Sequence, residues 1–211
     1  MSIELALRTI KNTLKEGVTL VAVSKTHPIE AISEAYQAGQ RIFGENRVQE
    51  LQEKQPLLPN DIQWHLIGHL QKNKVKYIAP YVAMIHAVDS IELLEVIQKE
   101  AAKNNRTIDC LIQIYIADEN SKFGFSYEEA ESFFNNVNPQ NYPNVRFRGL
   151  MGMATFTDDA GQVRAEFAGL KSFFNRVKSN HPEWTEFNEL SMGMSGDYAI
   201  AVEEGSTMIR V

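Results

Sequence analysis

Thr19-Leu20-Val21-Ala22-Val23-Ser24-Lys25-Thr26-His27-Pro28 reads as a short strand that hands over to a helix. Leu20 to Val23 are apolar or small, with polar residues on both sides, the pattern of a strand covered on both faces. Pro28 suits the first turn of a helix, where its missing N–H costs nothing. Ile29, Ile32, Ala35 and Tyr36 then recur at helical spacing. Lys25 therefore stands at the carboxyl end of an early buried strand, the rim where α/β folds collect ligands. A desolvated amine there can attack a carbonyl to give a Schiff base. On this stretch alone, a strand-end lysine that snorkels to water is the simpler reading.

The same alternation continues to the end. Strands are predicted at Arg41–Gly44, Gln63–Gly68, Val82–Val88, Ile108–Ile116, Val145–Met151, Asn188–Met192 and Thr207–Arg210. Helical patterns separate them, over about 46–57, 72–78, 91–103, 126–134, 161–179 and 197–203. Ser90 is placed to cap one helix, and Ser126 with Glu129 forms a capping box for another. Before the first strand, Ile3, Leu7, Ile10 and Leu14 make one helical stripe. Eight strands alternating with helices predict a (β/α)8 barrel of the TIM type, with residues 1–211 as one domain. A doubly wound open sheet is the runner-up. The turn after the first strand has no glycine, so it carries no dinucleotide-binding fingerprint.

Composition narrows the function. The 211 residues are 44% hydrophobic and 23% charged, an ordinary globular balance. A net charge of −6 and a pI near 5.4 argue against nucleic acid or an anionic membrane as partner. No stretch is long and apolar enough to span a bilayer, and the first 17 residues lack the apolar core of a signal peptide. The single cysteine, Cys110, sits in an apolar run and reads as a core thiol, which fits a cytoplasmic protein.

Four further places carry possible chemistry. Leu190-Ser191-Met192-Gly193-Met194-Ser195-Gly196-Asp197 puts glycines and serines between the seventh strand and a helix start, where barrels often hold phosphate. Ser195 either donates to that anion or caps the helix. Arg210 ends the eighth strand, the neighbour of the first in a closed barrel. A guanidinium keeps its proton and can only donate, so facing a pyridine nitrogen it would leave that nitrogen unprotonated. The alternative is an exposed terminal arginine. Asn46 either meets a bound ring or caps the following helix. His65 and His69 lack the acidic neighbour of a zinc-binding helix, and His65 is expected to line the barrel rim. Lys72, Lys74 and Lys122 are expected to be solvated, one at most relaying a carbonyl ligand to Lys25.

Taken together, Val21-Ala22-Val23-Ser24-Lys25-Thr26, Phe43-Gly44-Glu45-Asn46-Arg47-Val48-Gln49-Glu50, Trp64-His65-Leu66-Ile67-Gly68, Val88-Asp89-Ser90, Gly149-Leu150-Met151, Leu190-Ser191-Met192-Gly193-Met194-Ser195 and Gly205-Ser206-Thr207-Met208-Ile209-Arg210 resemble the pyridoxal phosphate homeostasis protein family. The resemblance implies the barrel of alanine racemase without its β-rich second domain. It implies pyridoxal 5'-phosphate (PLP) held as an aldimine on Lys25, with Ser195 and the backbone around Met194 on the phosphate. It places Arg210 at the pyridine nitrogen and Asn46 beside the ring. It also expects a glycine–threonine pair beyond the arginine as a phosphate contact, whereas this sequence ends at Val211.

Two functions then compete. One is a monomeric carrier that buffers PLP and passes it to apo-enzymes. The other is a PLP enzyme resembling an amino-acid racemase, which needs a proton donor or acceptor on each face of the cofactor. A phosphosugar-binding barrel, with Lys25 incidental, is a third.

Overall fold

In the computed structural model, which describes residues 2–118 and 123–211, eight parallel strands close into a barrel in sequence order. They are β1 (Thr19–Val23), β2 (Ile42–Glu45), β3 (Gln63–Leu66), β4 (Met84–Val88), β5 (Ile108–Gln113), β6 (Val145–Met151), β7 (Glu189–Met194) and β8 (Met208–Arg210). The helices are α1 (Ile3–Thr13), α2 (Ile29–Gln37), α3 (Val48–Lys54), α4 (Val75–Ile78), α5 (Ile91–Lys103), α6 (Tyr127–Asn136), α7 (Ala160–Asn180) and α8 (Tyr198–Glu203). Closure is direct: β1 pairs with β2 on one side and with β8 on the other, Val21 opposite Arg210. The open sheet is thereby excluded.

Local chemistry sets the helix starts. The Ser90 hydroxyl accepts from the Leu93 N–H, and Ser126 and Glu129 form the reciprocal capping box. Asp159 accepts from the N–H groups of Gly161 and Gln162 to open α7. Leu7 of α1 is buried, with Ile3, Ile10 and Leu14 packed beside it, so that stripe docks as its spacing predicts.

Period-two alternation divides the strands into two cores. Leu20, Phe43, Trp64, Leu66, Leu190, Met192 and Ile209 face outward and pack with the helices. Val21, Val23, Ile42, Ile67, Met84, Leu111, Met151 and Met208 fill the barrel. The interior is tight: a Cβ on Gly44 would lie 2.9 Å from the Val21 Cγ1 methyl. Cys110 is fully buried and burial pushes its thiol pKa up, so it is a core residue and not a reactive one.

Several strand ends differ from expectation: β1 stops at Val23 and β3 at Leu66, each two residues early, and β4 starts at Met84. β5 stops at Gln113, because Ile114 pairs only through an isolated bridge to Phe125. β7 runs on to Met194, because Gly193 supplies a positive φ of 97° that lets it bend toward α8. A Cβ at Gly193 would sit 2.6 Å from that of Ala201.

Candidate functional site at the carboxyl rim

A cavity of about 550 Å³ opens at the carboxyl ends of the strands and takes in Lys25, Asn46, His69, Met194, Ser195, Gly196, Asp197 and Arg210. The five residues singled out from the sequence, Lys25, Asn46, Met194, Ser195 and Arg210, thus line one space. The volume lies in the range of small-molecule and cofactor pockets. Phe123, Met153 and Phe156 add apolar surface at its mouth. Sequence periodicity did not single them out, because an exposed apolar loop residue has no pattern to betray it.

Lys25 follows Val21 and Val23 at the same strand parity and leaves β1 toward the cavity. It is exposed, as the simpler reading of the stretch expected, and makes no hydrogen bond or ion pair with the described residues. Its amine is free. Its backbone is gripped on both sides. The Lys54 ammonium donates to the Ser24 carbonyl (2.8 Å), to Glu45 Oε1 (2.7 Å) and to Glu50 Oε2 (3.0 Å). The Ser24 hydroxyl donates to the same Glu45 oxygen, and the Thr26 N–H donates to Glu50. Burial pulls the Lys54 pKa down, but its carboxylate partners outweigh that and raise it. Thr26 sits at φ +63°, an unfavourable region for a β-branched residue, which these contacts hold in place.

Arg210 is the opposite of the exposed arginine considered above. It is 3% exposed, donating to Ser191 Oγ (2.6 Å) and the Gly152 carbonyl (3.1 Å). Among the described residues no carboxylate makes an ion pair with it. Burial lowers its pKa to about 10, with Asp197 opposing, so it stays protonated at neutral pH. Two of its five donors are thereby used, and the others are left for the cavity that it lines.

Asn46 does not cap α3, whose N-cap is Arg47 with no side-chain bond, and its amide makes no hydrogen bond with the described residues. Ser195 does not cap α8; the N-cap there is Asp197. The Met194 N–H is engaged by Asp197 Oδ1, so the backbone expected to hold phosphate is already partly occupied. The free N–H groups in this turn are those of Ser195 and Gly196, and a Cβ on Gly196 would meet only open space. With six residues, α8 is the short helix the sequence predicts here.

His65 is not at the rim. It is buried inside the barrel, where its Nδ1 lies 2.9 Å from His86 Nε2. His86 Nδ1 in turn lies 3.1 Å from Ser191 Oγ. His69 does reach the cavity, held by Asp89 at 3.2 Å and stacked near Phe123. Lys72 and Lys74 do not line the cavity, and Lys122 lies outside the described residues.

Residues 2–211 match the family described as alanine racemase, N-terminal domain. The pyridoxal phosphate homeostasis protein of Aquifex aeolicus is 38% identical over 193 residues, covering 91% of this chain and 83% of its own. This chain belongs to the pyridoxal phosphate homeostasis protein family. The Escherichia coli K12 family member is 37% identical, with 93% of this chain and 83% of that protein covered. Among solved structures, PipY of Synechococcus elongatus without PLP superposes with a TM-score of 0.92 at 38% identity, covering 99% of this chain and 97% of that one. PipY with PLP bound superposes at 0.89. Alanine racemase of Bartonella henselae shares the barrel alone: its TM-score is 0.74 at 17% identity, and 56% of that chain is covered. No helix among the described residues is long and apolar enough to cross a membrane.

Proposed function

We propose that this chain is a single-domain PLP carrier that holds the cofactor on Lys25 and releases it to apo-enzymes in the cytoplasm. When bound, PLP supplies an aldehyde that condenses with an amine, a ring with a basic nitrogen, and a dianionic phosphate. The residues present suit each part. Lys25 offers an unpaired amine on a backbone held by Lys54, Glu45 and Glu50. Arg210 offers donors to the ring nitrogen and keeps a proton off it. Asn46 offers an uncommitted amide beside the ring. Ser195 and Gly196 offer a hydroxyl and two N–H groups to the phosphate. Asp197 is the one ill-suited neighbour, and its carboxylate is turned onto the Met194 N–H.

A single observation carries this reading: a lysine and a buried arginine, neither with a counter-ion among the described residues, share one rim cavity. The carrier reading is preferred to an amino-acid racemase because a guanidinium at the ring nitrogen weakens the electron sink that carbanion chemistry needs. Protein mixed with PLP and desalted should keep a visible absorbance band. Lys25→Ala should lose the band with an unchanged circular dichroism spectrum. Retention of the band in Lys25→Ala would refute the assignment, and alanine or serine racemisation well above that of free PLP would move the protein to the enzymes.

A further inference from the structure

Four side chains cross the barrel interior in one line, contributed by β3, β4, β7 and β8. His65 meets His86, His86 meets Ser191, and Ser191 meets Arg210. Chemistry gives the line a direction. Arginine can only donate, so Ser191 Oγ accepts from it. The serine hydrogen then goes to His86 Nδ1, the other partner within reach. His86 must carry its proton on Nε2 and pass it to His65 Nδ1, which leaves His65 protonated on Nε2 as well. Every dipole in the line points its negative end toward the guanidinium.

The line also has to be neutral. A charged His86 would donate from both nitrogens, so Ser191 Oγ would face two cations and no acceptor on this line. Burial lowers the His65 pKa to about 3, and burial with the charges of His65 and Arg210 lowers that of His86.

We propose that Ser191, His86 and His65 are positioning residues for Arg210, an uncharged relay that fixes the guanidinium and leaves its charge uncompensated for the ligand. A carboxylate in the same place would fix the side chain equally well but would cancel the charge. The ligand named here rests on the PLP reading above. The relay itself belongs to the unliganded protein.

Two measurements test it. In unliganded, 15N-labelled protein, both rings should show the Nε2–H tautomer and stay neutral from pH 5 to 8. A ring that titrates in that range, or carries its proton on Nδ1, overturns the relay. In the PLP-loaded protein, His86→Leu should weaken PLP retention by up to about tenfold, on the order of one neutral hydrogen bond lost. It should also shift the visible band. His86→Gln, whose amide can both accept and donate, should restore both. Ser191→Ala with Ser191→Thr forms a second loss-and-rescue pair if His86→Leu does not fold. Unchanged retention and spectrum in a folded His86→Leu or Ser191→Ala overturns the proposal. If wild-type protein holds no PLP, the PLP reading fails, while the tautomer measurement still decides the relay.

Discussion

Two buried cations flank the rim and are treated in opposite ways. Lys54 is saturated: two carboxylates and one carbonyl take its three hydrogens. Arg210 has only a hydroxyl and a carbonyl, and no carboxylate. The first charge is spent on holding the turn around Lys25. The second is held in place but not cancelled, which suits a group that must meet a ligand. Burial alone does not distinguish a structural cation from a binding one; the charge of its partners does.

Lys54→Met should have the largest effect. It strands Glu45, which is fully buried with its Oε2 already unpartnered, and should cost about 3–5 kcal/mol in urea unfolding. A loss below about 1 kcal/mol would show that the cluster is not structural.

Acid should act next on the Arg210 side. Above pH 6.5 the two interior histidines are neutral in both folded and unfolded chains and contribute nothing to the pH dependence. Below 6.5 the unfolded rings take up protons, whereas folded His65 does so only near pH 3. Stability should therefore fall by about 1.4 kcal/mol per pH unit for each ring. The double variant His65→Gln, His86→Gln should lose that part of the acid slope when unfolding is compared at pH 7 and near pH 5. An unchanged slope would mean that the rings are not buried neutral.

Arg210→Met should be the mildest, costing about 1 kcal/mol because Ser191 and Gly152 each lose one donor and no buried charge is stranded. It should nevertheless abolish tight PLP retention. A loss as large as that of Lys54→Met would erase the distinction between the two cations.

The sequence exposed one of these regions better than the other. Parallel strands covered on both faces read as apolar runs, so β1 and the lysine two residues beyond it stand out, and strand parity then carries Lys25, Asn46 and Arg210 to the same rim. The relay could not be read that way. His65 and His86 are 21 residues apart and His86 and Ser191 are 105 apart, so their pairing exists only once the barrel closes. The available hint was a histidine or serine within an otherwise apolar strand, a polar group that must find a partner inside. The Glu45–Lys54 pair joins β2 to α3 and likewise carries no signal in the spacing. That Asp197 reaches back to the Met194 N–H is also a choice that spacing does not encode.

The most direct measurement is borohydride reduction of the PLP-loaded protein followed by peptide mass mapping. A phosphopyridoxyl label on Lys25 and on no other lysine, at close to one per chain, is the expected result. A label on Lys54, Lys72 or Lys74, or none at all, would contradict the account of this rim as a place built to present one free amine opposite one uncompensated guanidinium.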